Sequence, residues 1–308
     1  MLTREQIEFR KGGIGGSDAA VVLGISPWKS ALELWLEKTG QADDGKESTR
    51  LSVGSFLEPF IAAEVQRGRV IAHGEGKRLG RIIGGKQLLG EGGEMLTHPD
   101  HPFMLANTDR TIGGAKVGDR WIPSGILEIK TAGEWAFKRG WSEGVPLYYQ
   151  VQCQHYMSVT GARFAIVACL EGLERVHVYE LPRDDAFING RLIPACAEFW
   201  GMVESGTPPP PDDTESAARA LALMYPEPEP AKVADVFEDE AERLRAIAND
   251  YATIGKEIAE LSATRRGHAN QLAAAFKDAE AINVSDGTQI KKVRSGRGFK
   301  YVVKEPAQ

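Results

Sequence analysis

Two carboxylates and an amine lie close together between Met104 and Thr131. Asp109 ends one short apolar run. Glu128 and Lys130 sit in a second, Gly125-Ile126-Leu127-Glu128-Ile129-Lys130-Thr131, and the glycine-rich connection between them reads as a hairpin or meander. Side chains alternate across a strand, so Glu128 and Lys130 share one face while Leu127 and Ile129 take the other. Hard carboxylate oxygens suit Mg²⁺ or Mn²⁺, which leave coordination positions to water and substrate phosphate. Such an ion makes its water a better nucleophile and steadies a departing oxygen. Lys130 is then suited to orient or deprotonate that water, or to balance charge on the reacting phosphorus. The pattern fits phosphodiester hydrolysis. It also fits the polar side of a solvated sheet, with Glu128 and Lys130 simply pointing outward.

The flanking elements must position these groups. Upstream, Gly12-Gly13-Ile14-Gly15-Gly16-Ser17-Asp18 precedes the apolar Ala19 to Leu23. Ser17 suits a helix N-cap, Asp18 the positive helix end, and Gly24 a stop. Glycines before a helix leave backbone N–H groups open to an anion. Ser30 to Glu33 has the form of a capping box, followed by Leu32, Trp35 and Leu36 at helical spacing. Leu51 to Gln66 predicts a helix with Phe56, Phe60, Ile61 and Val65 as one stripe. Within it, Ser55 to Glu58 has capping-box form, and Pro59 belongs near a helix start or a kink. Lys77, Arg78, Arg81 and Lys86 fall in a glycine-rich stretch, and His98 and His101 flank a Pro-Asp turn without further zinc ligands at hand.

Downstream, Trp135 to Trp141 mixes aromatic and cationic residues. This is the composition of a base-stacking wall, or of a helix with its rings inward and its cations outward. Pro146 opens a helix on which Tyr149, Gln152 and Tyr156 share a face, and Gln150 and Gln154 another. Residues 163–170 and 175–181 predict paired strands across Glu171-Gly172, and residues 184–205 a helix.

The chain has 308 residues, a formal net charge of −6 and no apolar run long enough to span a membrane. The opening residues lack the apolar core of a secretory signal, which predicts a cytoplasmic protein. Cys153, Cys169 and Cys196 are far apart, which predicts buried thiols and argues against an iron–sulfur cluster. The acidic total runs against nucleic-acid binding, although the distribution of charge matters more than its sum.

The run GIGGSDAAVVLGISPWKSALELWLEKTG, the Asp109 … Glu128-Ile129-Lys130 signature and the helix YYQVQCQHYMSVTG together resemble the YqaJ-type viral recombinase family. That family includes lambda exonuclease and belongs to the PD-(D/E)xK nuclease superfamily. The resemblance covers roughly residues 1–206. It implies an α/β fold, a restriction-endonuclease-like core with a central mixed sheet flanked by helices. It implies Mg²⁺ at Asp109 and Glu128, with Mn²⁺ able to substitute, the Ile129 carbonyl as a further ligand and Glu58 as a third acidic group. Gln152 joins Asp109, Glu128 and Lys130 as catalytic, and Arg10 and Ser17 hold a terminal 5′-phosphate, with Tyr149 and Gln154 on the DNA-binding helix. One departure stands out: the family usually has glycine after the aspartate, and here it is Arg110.

The implied activity is a phage or prophage 5′→3′ exonuclease on double-stranded DNA ends, making 3′ single-strand tails for recombination. A single-strand annealing protein is the implied partner and a homotrimer the implied assembly. A structure-specific endonuclease of the same fold, or a binding adaptor with a decayed site, are the alternatives. Past the prolines at 208–211, residues 207–235 predict a Pro/acid-rich linker. Residues 236–308 predict a helix or helical hairpin, then a β-hairpin with an Asp-Gly turn and a basic tail containing Lys291, Lys292, Arg294, Arg297 and Lys300. On that helix Leu244, Ile247, Tyr251, Ile254, Ile258 and Leu261 recur at core spacing, suited either to a second copy or to the nuclease domain.

Overall fold

A computed structural model describes residues 4–42, 49–73, 89–296 and 298–305. The four cations at 77–86, and Arg297, lie outside them. Contacts divide the chain into two compact units, Met1–Pro228 and Glu229–Gln308.

The first unit is built on a six-stranded mixed sheet. In spatial order its strands are Ile71–His73, Arg175–Pro182, Phe164–Glu171, Gly125–Ala132, Arg110–Ile112 and Leu89–Gly90. Gly125–Ala132 runs parallel to Phe164–Glu171 and antiparallel to Arg110–Ile112, and a small hairpin of Ala115–Val117 and Arg120–Ile122 fills the connection between them. Phe164–Glu171 and Arg175–Pro182 form the expected antiparallel pair across Gly172. Phe164–Glu171 is buried along its whole length, as expected of a strand with both faces covered.

The alternation along Gly125–Ala132 sorts its residues into two cores. Ile126 packs with the helices Gly16–Val22, Ala31–Lys38, Leu147–Thr160 and Ile193–Ser205, whereas Leu127 and Ile129 pack with Ile61, Ala62 and Val65 of the Thr49–Arg67 helix. Glu128 and Lys130 therefore point into the layer that holds the Gly16 and Gln152 helices. This is the α/β architecture, a central mixed sheet flanked by helices, that the resemblance implies.

Several local expectations change. Ser17 is not the N-cap: the helix starts at Gly16, capped by Gly15. The lead before it is itself helical, Arg4–Lys11, and carries Arg10. The Thr49–Arg67 helix begins upstream of Ser55, so Ser55 to Glu58 caps nothing and Pro59 stands in the interior. There the proline leaves the Ser55 carbonyl without its helical donor. Its buried stripe is Ile61, Ala62 and Val65, while Phe56 and Phe60 are exposed. The segment expected as one helix from Asp184 contains a π-helical turn, Ile188–Leu192, before Ile193–Ser205. Pro194, at the start of the second helix, cannot donate to the Gly190 carbonyl.

The expected linker carries a helix, Glu215–Met224, docked on Ala31–Lys38. Ser30 caps that partner helix as expected, its hydroxyl accepting from the Glu33 N–H, but the Ser30 N–H donates to the Ser216 hydroxyl at 2.7 Å. The Glu33 carboxylate turns to Ser216 and Arg219. Small side chains, Ala217 and Ala220, let the helix sit close enough to do this. Among the described residues the second unit has one long helix, Glu238–Phe276, and a three-stranded sheet, Ala281–Asn283, Gln289–Ser295 and Gly298–Lys304. No helical hairpin forms, and Lys291, Lys292, Arg294 and Lys300 lie on strands rather than in a tail. The three cysteines are buried and free, and no helix among the described residues is long and apolar enough to cross a membrane.

His155 is fully buried. Its Nε2 lies 3.0 Å from the Leu105 carbonyl, to which the neutral ring donates. Burial pushes its pKa down to about 4. A histidine depressed in the folded state takes its proton first in the unfolded chain, so stability falls as pH drops from about 6.5 towards 4. Urea unfolding across that range is expected to show a loss of about 3 kcal/mol from this group. His155→Gln should flatten the slope; an unchanged slope would rule the assignment out.

Candidate active site

The register of two strands creates the carboxylate pair. Arg110 lies opposite Leu127, and one step further along the same register brings Asp109 beside Glu128. Asp109 Oδ2 accepts the Ile129 N–H at 2.7 Å. Glu128 is buried, and its Oε1 accepts Lys130 Nζ at 2.5 Å and Gln152 Nε2 at 2.7 Å. Its other oxygen, Oε2, is buried and has no hydrogen-bond partner among the described residues. Gln152 reaches across from the Leu147–Thr160 helix and also donates to the Tyr156 hydroxyl at 3.2 Å.

Burial, followed by the neighbouring Asp109 carboxylate, pushes the Glu128 pKa up, and the Lys130 ammonium only partly offsets this. Burial raises Asp109 as well, against the pull of Lys130 and the Ile129 N–H. At Lys130 burial favours the neutral amine, but the Glu128 and Asp109 carboxylates outweigh it and hold the group charged. Glu58 joins this field from the Thr49–Arg67 helix. Burial and then Asp109 raise its pKa, while a hydrogen bond from Ser55 opposes the rise.

Lys130, with Arg110 adding a weaker pull on Asp109 and Glu58, thus serves a group of acids that repel one another, and among the described residues one buried carboxylate oxygen is bonded to nothing. An unpaired buried acceptor carries a desolvation cost, and a hard cation would relieve it. Among the described residues no three His, Cys, Asp or Glu side chains form a ready-made cage. The residues present fit a divalent cation at Asp109 and Glu128, with Glu58 nearby.

Arg110 does not enter this arrangement as a ligand. It is a half-buried strand residue whose guanidinium folds back on the Asp109 carbonyl at 2.5 Å. The close approach to this part of the backbone falls instead to Gly92, where any side chain would overlap the Asp109 carbonyl. The His98 ring accepts the Asp100 and His101 N–H groups through Nδ1, so the turn uses that nitrogen internally.

The glycine-rich turn does something other than present free N–H groups. The Gly15 N–H donates to Asp18 Oδ2 at 3.0 Å, so the anion that meets it is the chain's own. Asp18 also pairs with Lys38 Nζ at 2.8 Å, both side chains being buried, and lies 3.9 Å from Arg10. Burial alone would raise the Asp18 pKa, but Lys38 and then Arg10 bring it down to about 2. The glycines serve packing: a methyl group at Gly16 would overlap the Tyr156 ring, and one at Gly13 would lie 2.6 Å from the Phe103 carbonyl. This closeness lets the Gly16–Val22 helix press against the helix that carries Gln152.

Arg10 and Ser17 are nevertheless neighbours, with Arg10 3.4 Å from the Ser17 hydroxyl. With Tyr149 and Gln152 they line one cavity of about 170 Å³. Lys130 caps the Tyr149 ring at 4.7 Å, and Gln152 joins the cavity to Glu128. Gln154 is not part of it. Its side chain clasps the Pro182 carbonyl and the Asp184 N–H on the other flank of the helix, where it ties strand to helix. The 135–141 segment splits between its two readings: Phe137 and Trp141 are buried, while Trp135 is exposed beneath Arg139.

Residues that the sequence did not single out for the site are Lys38, which neutralises Asp18, and Trp28. Trp28 is 58% exposed, lines the same cavity and meets Tyr148 edge-on at 4.7 Å. Nothing in the spacing joins Asp18 to Lys38. For Trp28 the signal was an aromatic residue beside a lysine, at Trp28-Lys29.

The family model for the YqaJ-like viral recombinase domain matches residues 6–163. A Bacillus subtilis (strain 168) protein, described as uncharacterized protein YqaJ, is 34% identical over 284 residues, covering 91% of this chain and 80% of that one. The crystal structure of an alkaline exonuclease (LHK-Exo) from Laribacter hongkongensis aligns with a TM-score of 0.50 at 20% identity, over 72% of this chain and 100% of that one. The complex of LHK-Exo with dAMP gives 0.51 at 19% identity, with the same coverage. At those identities the structural likeness speaks to the fold, a PD-(D/E)xK-like α/β core.

Breaking a buried ion pair strands the surviving charge. Asp18→Asn is therefore expected to cost on the order of 3 kcal/mol in chemical denaturation at neutral pH. Because the Asp18 pKa is depressed, that difference should persist above about pH 4 and shrink as the pH falls towards 2. A variant as stable as wild type at pH 7 would show that the pair contributes nothing.

Proposed function

The chain belongs to the YqaJ-like viral recombinase family, and from that premise we propose that it is a metal-dependent DNA nuclease. The finer reading is a 5′→3′ exonuclease acting on double-stranded DNA ends and leaving 3′ single-strand tails for recombination. The observation that carries it is the Glu128 carboxylate, one oxygen held by Lys130 and Gln152 and the other buried without a partner. An isolated surface pair on a solvated sheet has no reason to be built this way.

Asp109, Glu128 and the Ile129 carbonyl would hold Mg²⁺, or Mn²⁺ in its place, with Glu58 adding negative charge from outside. When bound, the ion supplies Lewis acidity at the phosphate and a more acidic water. Gln152 fixes the Glu128 side chain through one hydrogen bond and is a positioning residue in that sense. Lys130, held protonated by its carboxylates, is better suited to steady negative charge on the phosphate than to abstract a proton. Arg10 and Ser17, at the rim of the same cavity, offer a guanidinium and a hydroxyl to a terminal phosphate. The rings of Tyr149, Tyr148 and Trp28 offer faces and edges against which bases can stack. That LHK-Exo is an alkaline exonuclease seen with dAMP accords with this reading. By analogy with lambda exonuclease, we infer a ring-shaped homotrimer with a single-strand annealing protein as its partner, working in the bacterial cytoplasm.

Digestion of end-labelled linear duplex with Mg²⁺ tests the reading. Wild type is expected to release nucleotides from the 5′ strand and to prefer a 5′-phosphate over a 5′-hydroxyl. Lys130→Ala should lower the rate about 10²–10³-fold, the usual cost of removing a group that stabilises transition-state charge. Arg10→Ala should narrow the 5′-phosphate preference by about 10–100-fold, from a charge-assisted bond of about 1.5–3 kcal/mol. Nicking of covalently closed circles would identify an endonuclease instead. An absence of hydrolysis with either metal would identify a binding protein.

A further inference from the structure

The Glu238–Phe276 helix spans 39 residues, about 58 Å at 1.5 Å per residue. Leu244, Ile247, Tyr251, Ile254, Ile258 and Leu261 are all exposed on it, from 39% at Leu244 to 82% at Tyr251. They recur in alternating steps of three and four, the 3.5-residue repeat of a coiled-coil seam, which is narrower than the stripe a helix lays on a globular core. After each second apolar residue comes a small one, Ala248, Gly255 and Ser262, and the same seven-residue step reaches back to Ala241 and on to Ala269. One flank of the seam therefore carries no long side chain that would hold a neighbouring backbone away.

We propose that this helix pairs with the same helix of a second copy of the chain, as an antiparallel coiled coil. The order of the seam, Leu-Ile-Tyr-Ile-Ile-Leu, is nearly the same read from either end, which is what a two-fold self-pairing interface requires. With the crossing point between Ala252 and Thr253, Leu244 meets Leu261 of the second copy, Ile247 meets Ile258, and Tyr251 meets Ile254.

The next layer outward puts Glu240 against Arg265. A parallel pairing in register would instead stack Glu240 on Glu240 and Arg265 on Arg265. The wider charge pattern agrees. Glu238, Asp239, Glu240 and Glu242 crowd the first turns, where Arg243 bonds Glu240 within its own helix and Arg245 adds a second cation, whereas Arg265, Arg266 and His268 lie towards the other end, and antiparallel helix dipoles also attract. Asp250 and Glu257 share the outer flank and oppose the arrangement, but as exposed charges they are screened by salt. The far end of the helix has its own partner, with Phe276 buried against Tyr301 of the C-terminal sheet at 5.3 Å between ring centroids.

The pairing does not depend on the nuclease reading or on a ring trimer. Light scattering on the purified full chain is expected to give an even number of copies, two from the pairing alone or six where it joins two of the proposed trimers. Ile254→Asp, and independently Tyr251→Lys, should halve the mass while circular dichroism shows unchanged helix content. A spin label at Glu242→Cys should report roughly 30 Å between copies in the antiparallel pairing, against about 20 Å or less in a parallel one. A monomeric wild type would overturn the proposal and assign the stripe to another part of the same chain or to a different protein. An odd stoichiometry, or a mass unmoved by both substitutions, would overturn it as well, and a short label distance would overturn the antiparallel orientation.

Discussion

A carboxylate placed in the middle of a sheet, with its charge facing the core, is the constraint on which the first unit depends. Glu128 is buried beside Asp109, and burial together with that neighbouring carboxylate makes it harder to ionise. In a low-dielectric interior such a group is tolerated only when hydrogen-bonded and compensated. Lys130 and Gln152 satisfy one of its oxygens. Gln152 can do so only because its helix lies against the Gly16–Val22 helix at a distance that a glycine at position 16 permits. The oxygen left without a partner marks where the compensation is incomplete.

A second buried acid, Asp18, shows the opposite solution. Lys38, Arg10 and the Gly15 N–H all face it, and its pKa falls to about 2 where those of Glu128 and Asp109 rise. The two sites lie on elements that pack together, yet one is a closed ion pair and the other an open one. The contrast separates a charge-compensated acid from an uncompensated one more clearly than burial does, since both Asp18 and Glu128 are buried. It also tempers the objection from a net charge of −6. Cationic groups, Arg10 and Lys29, line the same hollow as the aromatic rings, and acidic residues crowd the start of the long helix in the second unit.

That second unit follows a different logic. Its helix buries little except Phe276 and leaves a regular apolar seam exposed. The nuclease-like unit is held by long-range pairing of strands and by helices packed on both faces of a sheet. The appendage is held by a continuous helix and a meander of neighbouring strands, so its features are almost entirely local.

Locality also decides how much was legible in the sequence. The alternation along Gly125–Ala132 put Glu128 and Lys130 on one face, Pro146 opened the Gln152 helix, and residues 244–261 showed a helical apolar repeat, because each depends only on a local period or a local backbone constraint. The family motifs named Asp109, Arg10 and Ser17 as well. What only the tertiary structure decided were the distances across the chain: Asp109 brought beside Glu128 by strand register, Asp18 closed onto Lys38, Gln154 turned away to Pro182, and Ser216 returning to Ser30 from a segment that reads as linker. Such pairings are set by which faces pack and how closely. No local period encodes them, so a glycine that looks like a phosphate-binding turn can instead be the space that lets two helices meet.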